Sequence, residues 1–465
     1  MTENYLTSSK VLINNSASTI LRAHRNTQRN VVIRSGSLIT NSTNTTTGVS
    51  ARVYDNGVYG FSSDAEYSTE SVMKVLSAAN ANAVFLSART GLTGHKFPPI
   101  SKYEFYSDIP SVTTNQHVLI ELSQAADAYI SSKYKNLTSR TVRAFEGTTQ
   151  RRLLCSDYGE VFANTHTVLS RSNMLISLVA TTSLGLPVSL YDAISCEGLF
   201  ENLSNNLSAL YKMIDNLYES LMQKREGVYP DAGVKTCILG SSLSGILAHE
   251  AVGHTVEADM VLSGSVASNC LNAQVASPIV NLVDFANTAF GVPVPLPLYV
   301  DDEGTPAQDA VIIKDGILTG YMHNRASAEH FGAVPCGNAR AYDFSDEPLI
   351  RMRNTAILPG RDKLADMIAS IDDGYYLIKA GNGQADTTGE FMFGVNMGYE
   401  IKHGRIGRAI LNTTISGVAF DMLKTIDMLG DTIGWTSVGY CGKKQPMPVG
   451  MGGPALRCRV MIGGR

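Results

Sequence analysis

Residues 249–254 read His-Glu-Ala-Val-Gly-His, and this string constrains the structure more than any other part of the chain. Two imidazoles beside a carboxylate are the parts of a zinc hydrolase site, in which the histidines bind the metal and the glutamate moves a proton. The usual string, H-E-x-x-H, separates its histidines by about four positions, one fewer than here. This longer spacing places the two side chains about 140° apart around a regular helix. The sequence therefore predicts a distorted backbone at Val252 and Gly253, either a π-bulge or a helix end.

The composition predicts a compact protein with a large core. Of 465 residues, 44% are hydrophobic and 17% are charged, which suits about two or three domains. The net charge is −4 and no basic run stands out, so no nucleic-acid binding is expected. Residues 175–190 are the most apolar stretch but contain Gly185 and Pro187, so no membrane span is expected. Seven scattered cysteines and the lack of a visible signal peptide predict a cytoplasmic location.

The first part of the chain, residues 1–115, is predicted to be an N-terminal α+β subdomain. Strands are expected at residues 31–39 and 49–61, and an Asp-Asn-Gly turn divides the second of them into a hairpin. A helix is expected at residues 71–86. The polar run at residues 41–47 is predicted to be a flexible loop.

The middle part, residues 116–230, is predicted to combine two helices with an antiparallel sheet. The helices are expected at residues 118–134 and 203–221, where apolar side chains recur on one face. Residues 141–190 alternate polar and apolar side chains, which predicts a meander of strands with a turn at residues 171–173.

The last part, residues 231–465, is predicted to be a mostly-β metallopeptidase domain with one convincing helix, the histidine-bearing helix near its start. Turn-type breaks at residues 302–304, 314–316 and 403–404 separate short apolar runs. The glycine-rich residues 450–454 are expected to form a tight turn. The predicted fold class is α+β, with an N-terminal mixed α/β region of antiparallel sheet and packing helices followed by this domain.

A catalytic zinc requires a third protein ligand and an open position for water. The candidates are Glu257, Asp259, the acidic trio at residues 301–303 (Asp-Asp-Glu) and any of the cysteines. The trio is interpreted as a solvated turn rather than a ligand set, and Glu257 and Asp259 could equally lie on the helix surface. The spacing of these candidates along the sequence does not identify the third ligand.

Several motifs resemble the TldD/PmbA family of cytosolic metallopeptidases. They are the histidine string with its continuation to Asp259, Asp-Asp-Glu-Gly-Thr-Pro at 301–306, Gly-Ile-Leu-Thr-Gly-Tyr at 316–321, Arg-Met-Arg-Asn-Thr at 351–355, the glycine-rich segment at 381–393 and Gly-Tyr-Cys-Gly-Lys at 439–443. Weaker similarity at residues 48–65 extends the resemblance over nearly the whole chain. Because these motifs occur in order, their combination is specific.

The resemblance implies the HExxxH-bearing, TldD-like branch of this family, and therefore a zinc metallopeptidase. It implies that Zn²⁺ is held by His249, His254 and Cys441, and that Glu250 activates a water at the zinc for attack on the peptide bond. The implied substrates are small or unfolded polypeptides. The implied assembly is a homodimer or a heterodimer with a PmbA/TldE-like subunit.

The alternative hypothesis is a non-catalytic subunit, gyrase-modulator-like, that binds peptides or a partner around a structural metal. A fourth protein ligand would favour this alternative, because structural zinc sites are closed. The net charge of −4 argues against direct DNA binding. If the protein is an enzyme, a second oxyanion donor could be His323, His330 or Arg351, although ordinary structural roles are the simpler interpretation for each.

Overall fold

The computed structural model describes residues 17–91, 96–98, 100–107, 115–198, 200, 202 and 207–463. Its helices are α1 (Thr69–Thr90), α2 (Gln116–Lys133), α3 (Leu207–Arg225), α4 (Ser241–Ile246), a π-helical segment (Leu247–Gly253), a 3-10 turn (His254–Val256), α5 (Ala258–Leu262), a second 3-10 turn (Val266–Asn269), α6 (Arg325–Phe331), α7 (Leu364–Ala369) and α8 (Ala419–Lys424). In this part of the chain, no helix combines the length and the apolar character that a membrane crossing needs. The start of the helix predicted at 203–221, residues 203–206, lies outside the described residues.

A large sheet occupies the N-terminal half. Its strands are β1 (Ser18–Arg34), β2 (Ser37–Asp55), β3 (Val58–Asp64), β4 (Tyr103–Tyr106), β5 (Ser139–Asp157), β6 (Glu160–Thr181) and β7 (Pro187–Glu197). They lie in the order β3-β2-β1-β5-β6-β4, and β7 pairs with another stretch of β6. All neighbours are antiparallel except β4 and β6. Strands from both the predicted first and middle parts share this sheet, and the three-part division of the chain stays a prediction.

Three predictions for residues of this sheet were wrong. The strand expected at 31–39 straddles a hairpin, because Ser35 and Gly36 adopt positive φ angles of 47° and 89° between β1 and β2. The polar run at 41–47 is not a loop but lies inside β2, mostly exposed, with every residue paired to β1. Threonine favours strands, and an exposed strand needs no apolar side chains to satisfy its ladder. Similarly, residues 171–173 lie within β6 rather than in a turn.

Helix α1 packs on β2 and β3 through an apolar stripe. Its buried residues include Val72, Val75 and Ala79, which join the core formed with Leu21 and other residues of the sheet. The helix begins where the Ser68 side chain accepts a hydrogen bond from the backbone N–H of Ser71. Helices α2 and α3 bury their own stripes in a second core beneath β5, β6 and β7. The predicted helices at 71–86 and 118–134 are therefore confirmed, and the periodicity behind them reflects burial.

The C-terminal half contains two larger sheets and several two-stranded ladders. Its strands are β8 (Gly233–Leu239), β9 (Leu282–Phe285), β10 (Thr288–Ala289), β11 (Val292–Pro293), β12 (Ala310–Lys314), β13 (Ile317–Leu318), β14 (Ala339–Arg340), β15 (Leu349–Ile350), β16 (Asn354–Ile357), β17 (Asp373–Ala385), β18 (Glu390–Lys402), β19 (Arg405–Ala409), β20 (Thr413–Val418), β21 (Met428–Leu429), β22 (Gly434–Thr436), β23 (Tyr440–Cys441), β24 (Met447–Pro448), β25 (Gly450–Gly453) and β26 (Leu456–Ile462). Strands β17, β8, β26, β20 and β18 close into a small barrel, since β17 also pairs with β18. The other sheet has the order β13-β12-β9-β16-β25-β22. This arrangement confirms the predicted α+β class with a mostly-β C-terminal region.

Two expectations for this half require correction. The glycine-rich residues at 450–453 form β25, parallel to β16, instead of a tight turn. Glycine is needed there because helix α4 lies close by: a side chain on Gly453 would come within 2.2 Å of the Ser244 hydroxyl. The histidine-bearing helix is also not the only helix, because α6, α7 and α8 lie farther along the chain.

Buried charges hold the N-terminal sheet against the C-terminal half. Asp302 lies 2.6 Å from Arg151 and 3.5 Å from Arg22, and Glu303 lies 2.6 Å from Arg52. Asp301 instead caps its own loop, accepting hydrogen bonds from the backbone N–H groups of residues 303, 305 and 339. The prediction of a solvated turn was therefore wrong, because at most 1% of any of the three acidic side chains is exposed. Their partners come from distant strands and cannot be identified from local sequence.

Candidate metal centre

The backbone around the histidines is distorted as the spacing predicted. Helix α4 continues into the π-helical segment Leu247–Gly253, and a 3-10 turn begins at His254. The backbone N–H of His254 donates to the carbonyl of His249, a bond that spans the wider turn of a π-helix. The extra residue per turn places the two histidines on one face, whereas a regular helix would separate them. Gly253 is required there, because a Cβ atom would lie 2.0 Å from the sulfur of Met352.

The two histidines converge with one distant cysteine. Nε2 of His254 lies 3.1 Å from Sγ of Cys441, and ligand atoms of His249, His254 and Cys441 all lie within 4.8 Å of one another. Donors around a tetrahedral zinc ion lie about 3.3–3.7 Å apart, given Zn–N bonds of about 2.0 Å and Zn–S bonds of about 2.3 Å. In addition, both ring nitrogens of His249 are buried and have no hydrogen-bond partner among the residues that the structure describes. Orphaned nitrogens of this kind are costly unless a ligand satisfies them, so the donor set fits a metal ion.

Cys441 lies on a short hairpin in the last part of the chain. It belongs to β23, which pairs with β24 so that Cys441 lies opposite Met447. The buried guanidinium of Arg351 donates to the carbonyls of Cys441, Lys443 and Gln445 and so fixes the hairpin turn. Arg351, a candidate oxyanion donor from the sequence, thus has a structural contact that accounts for it.

Glu250 lies beside both histidines and keeps access to solvent. Its carboxylate oxygens are 3.9 Å from Nε2 of His249 and 3.6 Å from Nε2 of His254, and 25% of its side chain is exposed. Burial raises the pKa of Glu250, although the charge of His254 acts in the opposite direction. A carboxylate with a raised pKa can both take up and return a proton near neutral pH.

Glu257 orients the His254 ring by contacting Nδ1, while Nε2 of that ring faces Cys441. Its Oε2 lies 3.0 Å from Nδ1 of His254 and 3.1 Å from Nζ of Lys443, and its side chain is fully buried. Lys443 also contacts the half-exposed carboxylate of Asp259 at 2.6 Å. Glu257 and Asp259 were candidate ligands in the sequence, but neither belongs to the metal-ligand cluster found among the described residues. Lys443 follows Cys441 within the Gly-Tyr-Cys-Gly-Lys motif, yet nothing in the sequence indicated its contact with Glu257.

The electrostatics of the cluster favour the metal-ligating forms of His249 and Cys441, whereas His254 holds a proton. Burial lowers the pKa of His249 well below its usual value, and the charges of His254, Arg351 and Arg340 lower it further, so its ring is neutral. Burial disfavours charge on His254, but Cys441 and Glu257 outweigh it and raise the pKa of that ring to about 10. Burial likewise opposes ionisation of Cys441, yet the hydrogen bond and charge of His254 lower the pKa of the thiol. A thiolate is therefore favoured, and metal binding requires the proton on His254 to leave.

The other sequence candidates lie outside this cluster. His323 is buried with Nδ1 3.1 Å from the Ser327 hydroxyl, and burial lowers its pKa to about 4. His330 is exposed on α6. Of the acidic trio at 301–303, Asp302 and Glu303 pair with arginines of the N-terminal sheet and Asp301 caps its own loop. In the described part of the chain, the only cluster of metal-binding side chains is the His-His-Cys group.

The fold and this centre define an α+β protein with the imidazole–thiolate donor set of a zinc metallopeptidase. Two family models match the chain: the PmbA/TldA metallopeptidase C-terminal domain over residues 232–464 and the PmbA/TldA metallopeptidase domain 1 over residues 21–83. The chain therefore belongs to the PmbA/TldD metallopeptidase family, as the motifs predicted.

Individual relatives agree with this assignment. The zinc metalloprotease TldD homolog of Saccharolobus solfataricus is 31% identical over 66% of this chain and 70% of its own length. The metalloprotease TldD homolog of Buchnera aphidicola from Acyrthosiphon pisum is 37% identical, but the match spans only 50% of this chain and about half, 49%, of that relative. The crystal structure of TldE from Thermococcus kodakarensis matches with a TM-score of 0.75 over 100% of both chains at 15% identity, which shows a shared fold.

Proposed function

We propose that this protein is a zinc-dependent peptidase that hydrolyses peptide bonds in small or unfolded polypeptides. The observation that carries the proposal is the convergence of three ligand atoms within 4.8 Å, with the Glu250 carboxylate 3.6 Å from His254. His249, His254 and Cys441 would hold the ion. When bound, zinc would acidify a water and polarise the scissile carbonyl.

The protein's own groups account for the proton transfers. Glu250 is the one carboxylate of this centre that is both partly exposed and adjacent to the ligands, and it would accept a proton from the attacking water. The same carboxyl group would then return the proton to the leaving amine. Glu257 is too deeply buried for this role and would instead hold His254 in place.

The relatives, the shared fold and the free cysteines support the proposed substrate, assembly and location. Names of the relatives given above include the word metalloprotease, which supports a peptide substrate. The fold shared with TldE supports an assembly in which this chain forms a homodimer or pairs with a PmbA/TldE-like subunit. All seven cysteines are free, which supports a reducing, cytoplasmic location.

Replacement of Glu250 tests the proposal. Glu250→Ala is expected to retain zinc and to lose about 10²–10⁴-fold in the rate of peptide hydrolysis. Glu121→Ala, an exposed site on α2, is the matched control and is expected to keep the parental rate. Hydrolysis of an unstructured peptide and metal content would be measured on the same preparations. Full activity of Glu250→Ala would contradict the mechanism, and a zinc-loaded wild-type protein without activity would favour a structural metal.

A further inference from the structure

A narrow cleft with a cavity volume of about 80 Å³ lies between the N-terminal sheet and the C-terminal half. One wall is formed by β1, β5 and β6, and the opposite wall by the loop at residues 295–298, the segment at 340–342 and the β23–β24 hairpin. Apolar side chains, including Phe145 and Leu169, alternate with polar groups along it. This mixed lining resembles that of a site for an extended chain or a single side chain.

The cleft is strongly cationic. Arg151, Arg171 and Arg340 line it, whereas none of its described lining residues is Asp or Glu. Arg151 is neutralised by Asp302 from outside the lining. Arg171 donates to the carbonyl of Ser437 and lies over an aromatic ring, but among the described residues it forms no ion pair.

Among these residues, Arg340 gives the strongest evidence that the cleft accepts an anion. It is 6% exposed, and within the described part of the chain it donates only to the backbone carbonyls of Met352 and Pro448 while its Nε has no partner. Burial, together with the charges of Arg151 and Arg351, lowers its pKa to about 9, although the charges of Asp284 and Asp302 act in the opposite direction. The buried Nε of Arg151 also has no partner. Arg340, unlike Arg151, forms no ion pair among the described residues, and an anion that entered the cleft would offset the cost of burying its charge.

The cleft shares a wall with the candidate metal centre. Tyr440 lines it and directly precedes Cys441 in the chain, and Met447, which pairs with Cys441, also lines it. On the metal side, Arg340 is close enough to His249 for its charge to act on that ring. A peptide that lies across the metal centre could therefore place a neighbouring group in the cleft.

We propose that this cleft binds a carboxylate of the substrate peptide, provided by an acidic side chain or by the free chain terminus. The proposal rests on the peptidase function above. Arg171 and Arg340 would hold the carboxylate through guanidinium hydrogen bonds, for which the planar donor fork of arginine is suited. The peptidase would then prefer peptides that carry a negative charge at one fixed distance from the cleaved bond.

The test is calorimetric titration of zinc-loaded Glu250→Ala protein, which prevents turnover during the measurement. Three N-acetylated Gly/Ser-rich peptides are compared: one with an internal Glu and an amidated end, its Gln counterpart, and the Gln peptide with a free terminal carboxylate. One charged arginine–carboxylate contact predicts a preference of about tenfold over the amidated Gln peptide. Preference for the Glu peptide identifies a side-chain carboxylate, and preference for the free end identifies the chain terminus.

Arg171→Gln and Arg340→Met, each made in the Glu250→Ala background, are expected to abolish the preference. Arg143→Gln removes the same charge from an exposed position on β5 and is expected to retain it. If Arg340→Met does not fold, Arg171→Gln alone decides. Equal dissociation constants for all three peptides would overturn the proposal, and so would a preference that persists in the folded cleft variants. A preference in a protein whose wild-type form never cleaves peptides would contradict the peptidase function and leave the cleft assignment standing.

Discussion

The carboxylate of Glu257 lies 3.0 Å from Nδ1 of His254 and thereby directs Nε2 of the same ring toward Cys441. Carboxylate–histidine pairs of this kind fix the tautomer and the orientation of a metal ligand. The Glu257 side chain is fully buried, 23% of the His254 side chain is exposed, and Lys443 balances the carboxylate from the other side. Glu257 is therefore a positioning residue of the candidate metal centre.

Glu257→Gln is expected to lower zinc affinity by about 10–100-fold, because the amide can still contact Nδ1 but lacks the charge that strengthens the ligand. The measurement is competition for zinc against a chromophoric chelator. Asp421→Asn, on the exposed face of α8, is the matched control. A dissociation constant unchanged from wild type would mean that Glu257 has no part in metal binding.

Cys441→Ser is expected to lose bound zinc, because a hydroxyl is a far weaker ligand than the thiolate that His254 favours at this position. Metal content after dialysis is the measurement. Cys270→Ser provides the control, since the Cys270 thiol donates to the carbonyl of Val266 and lies outside the cluster. If Cys441→Ser retained its full zinc content, the third ligand would have to be sought among other residues.

The sequence predicts this structure best where the residues that determine a feature lie in one short segment of the chain. The five-residue spacing of the histidines predicted a distorted helix, and a π-helical segment is present. The sequence itself did not identify the third ligand, because Cys441 lies 187 positions from His254 and no local sequence feature distinguishes it from the other six cysteines. Only the family resemblance pointed to it. The same limit explains the error at residues 301–303, because even the nearest of the arginine partners on the N-terminal sheet is 151 positions away.

Asp302→Ala is expected to destabilise the protein by about 3–5 kcal/mol, because it leaves Arg22 and Arg151 buried without their shared counter-charge. Urea unfolding of the metal-loaded protein would measure the loss. Asp421→Ala removes an exposed carboxylate and is expected to stay within about 0.5 kcal/mol of wild type. A loss below about 1 kcal/mol for Asp302→Ala would show that the ion pairs do not hold the N-terminal sheet in place.

Lys224 gives the folded protein a measurable pH dependence. Its ammonium is buried at the end of α3, where it donates to the Ser189 carbonyl and the Asn412 side chain, and burial lowers its pKa to about 8. The unfolded chain keeps this lysine charged up to about pH 10.4. Because the folded pKa is the lower one, the residue costs stability below about pH 8, and that cost fades as the pH rises toward about 10.4.

Between about pH 7 and about pH 9.5, the stability of wild type relative to Lys224→Met is therefore expected to rise by about 2 kcal/mol. Urea unfolding of both proteins at the two pH values isolates this residue, since every other titrating group is common to them. Lys212→Met, an exposed lysine on the same helix, is expected to follow the wild-type pH profile. Parallel profiles for wild type and Lys224→Met would mean that the Ser189 and Asn412 contacts hold the ammonium charged in the core.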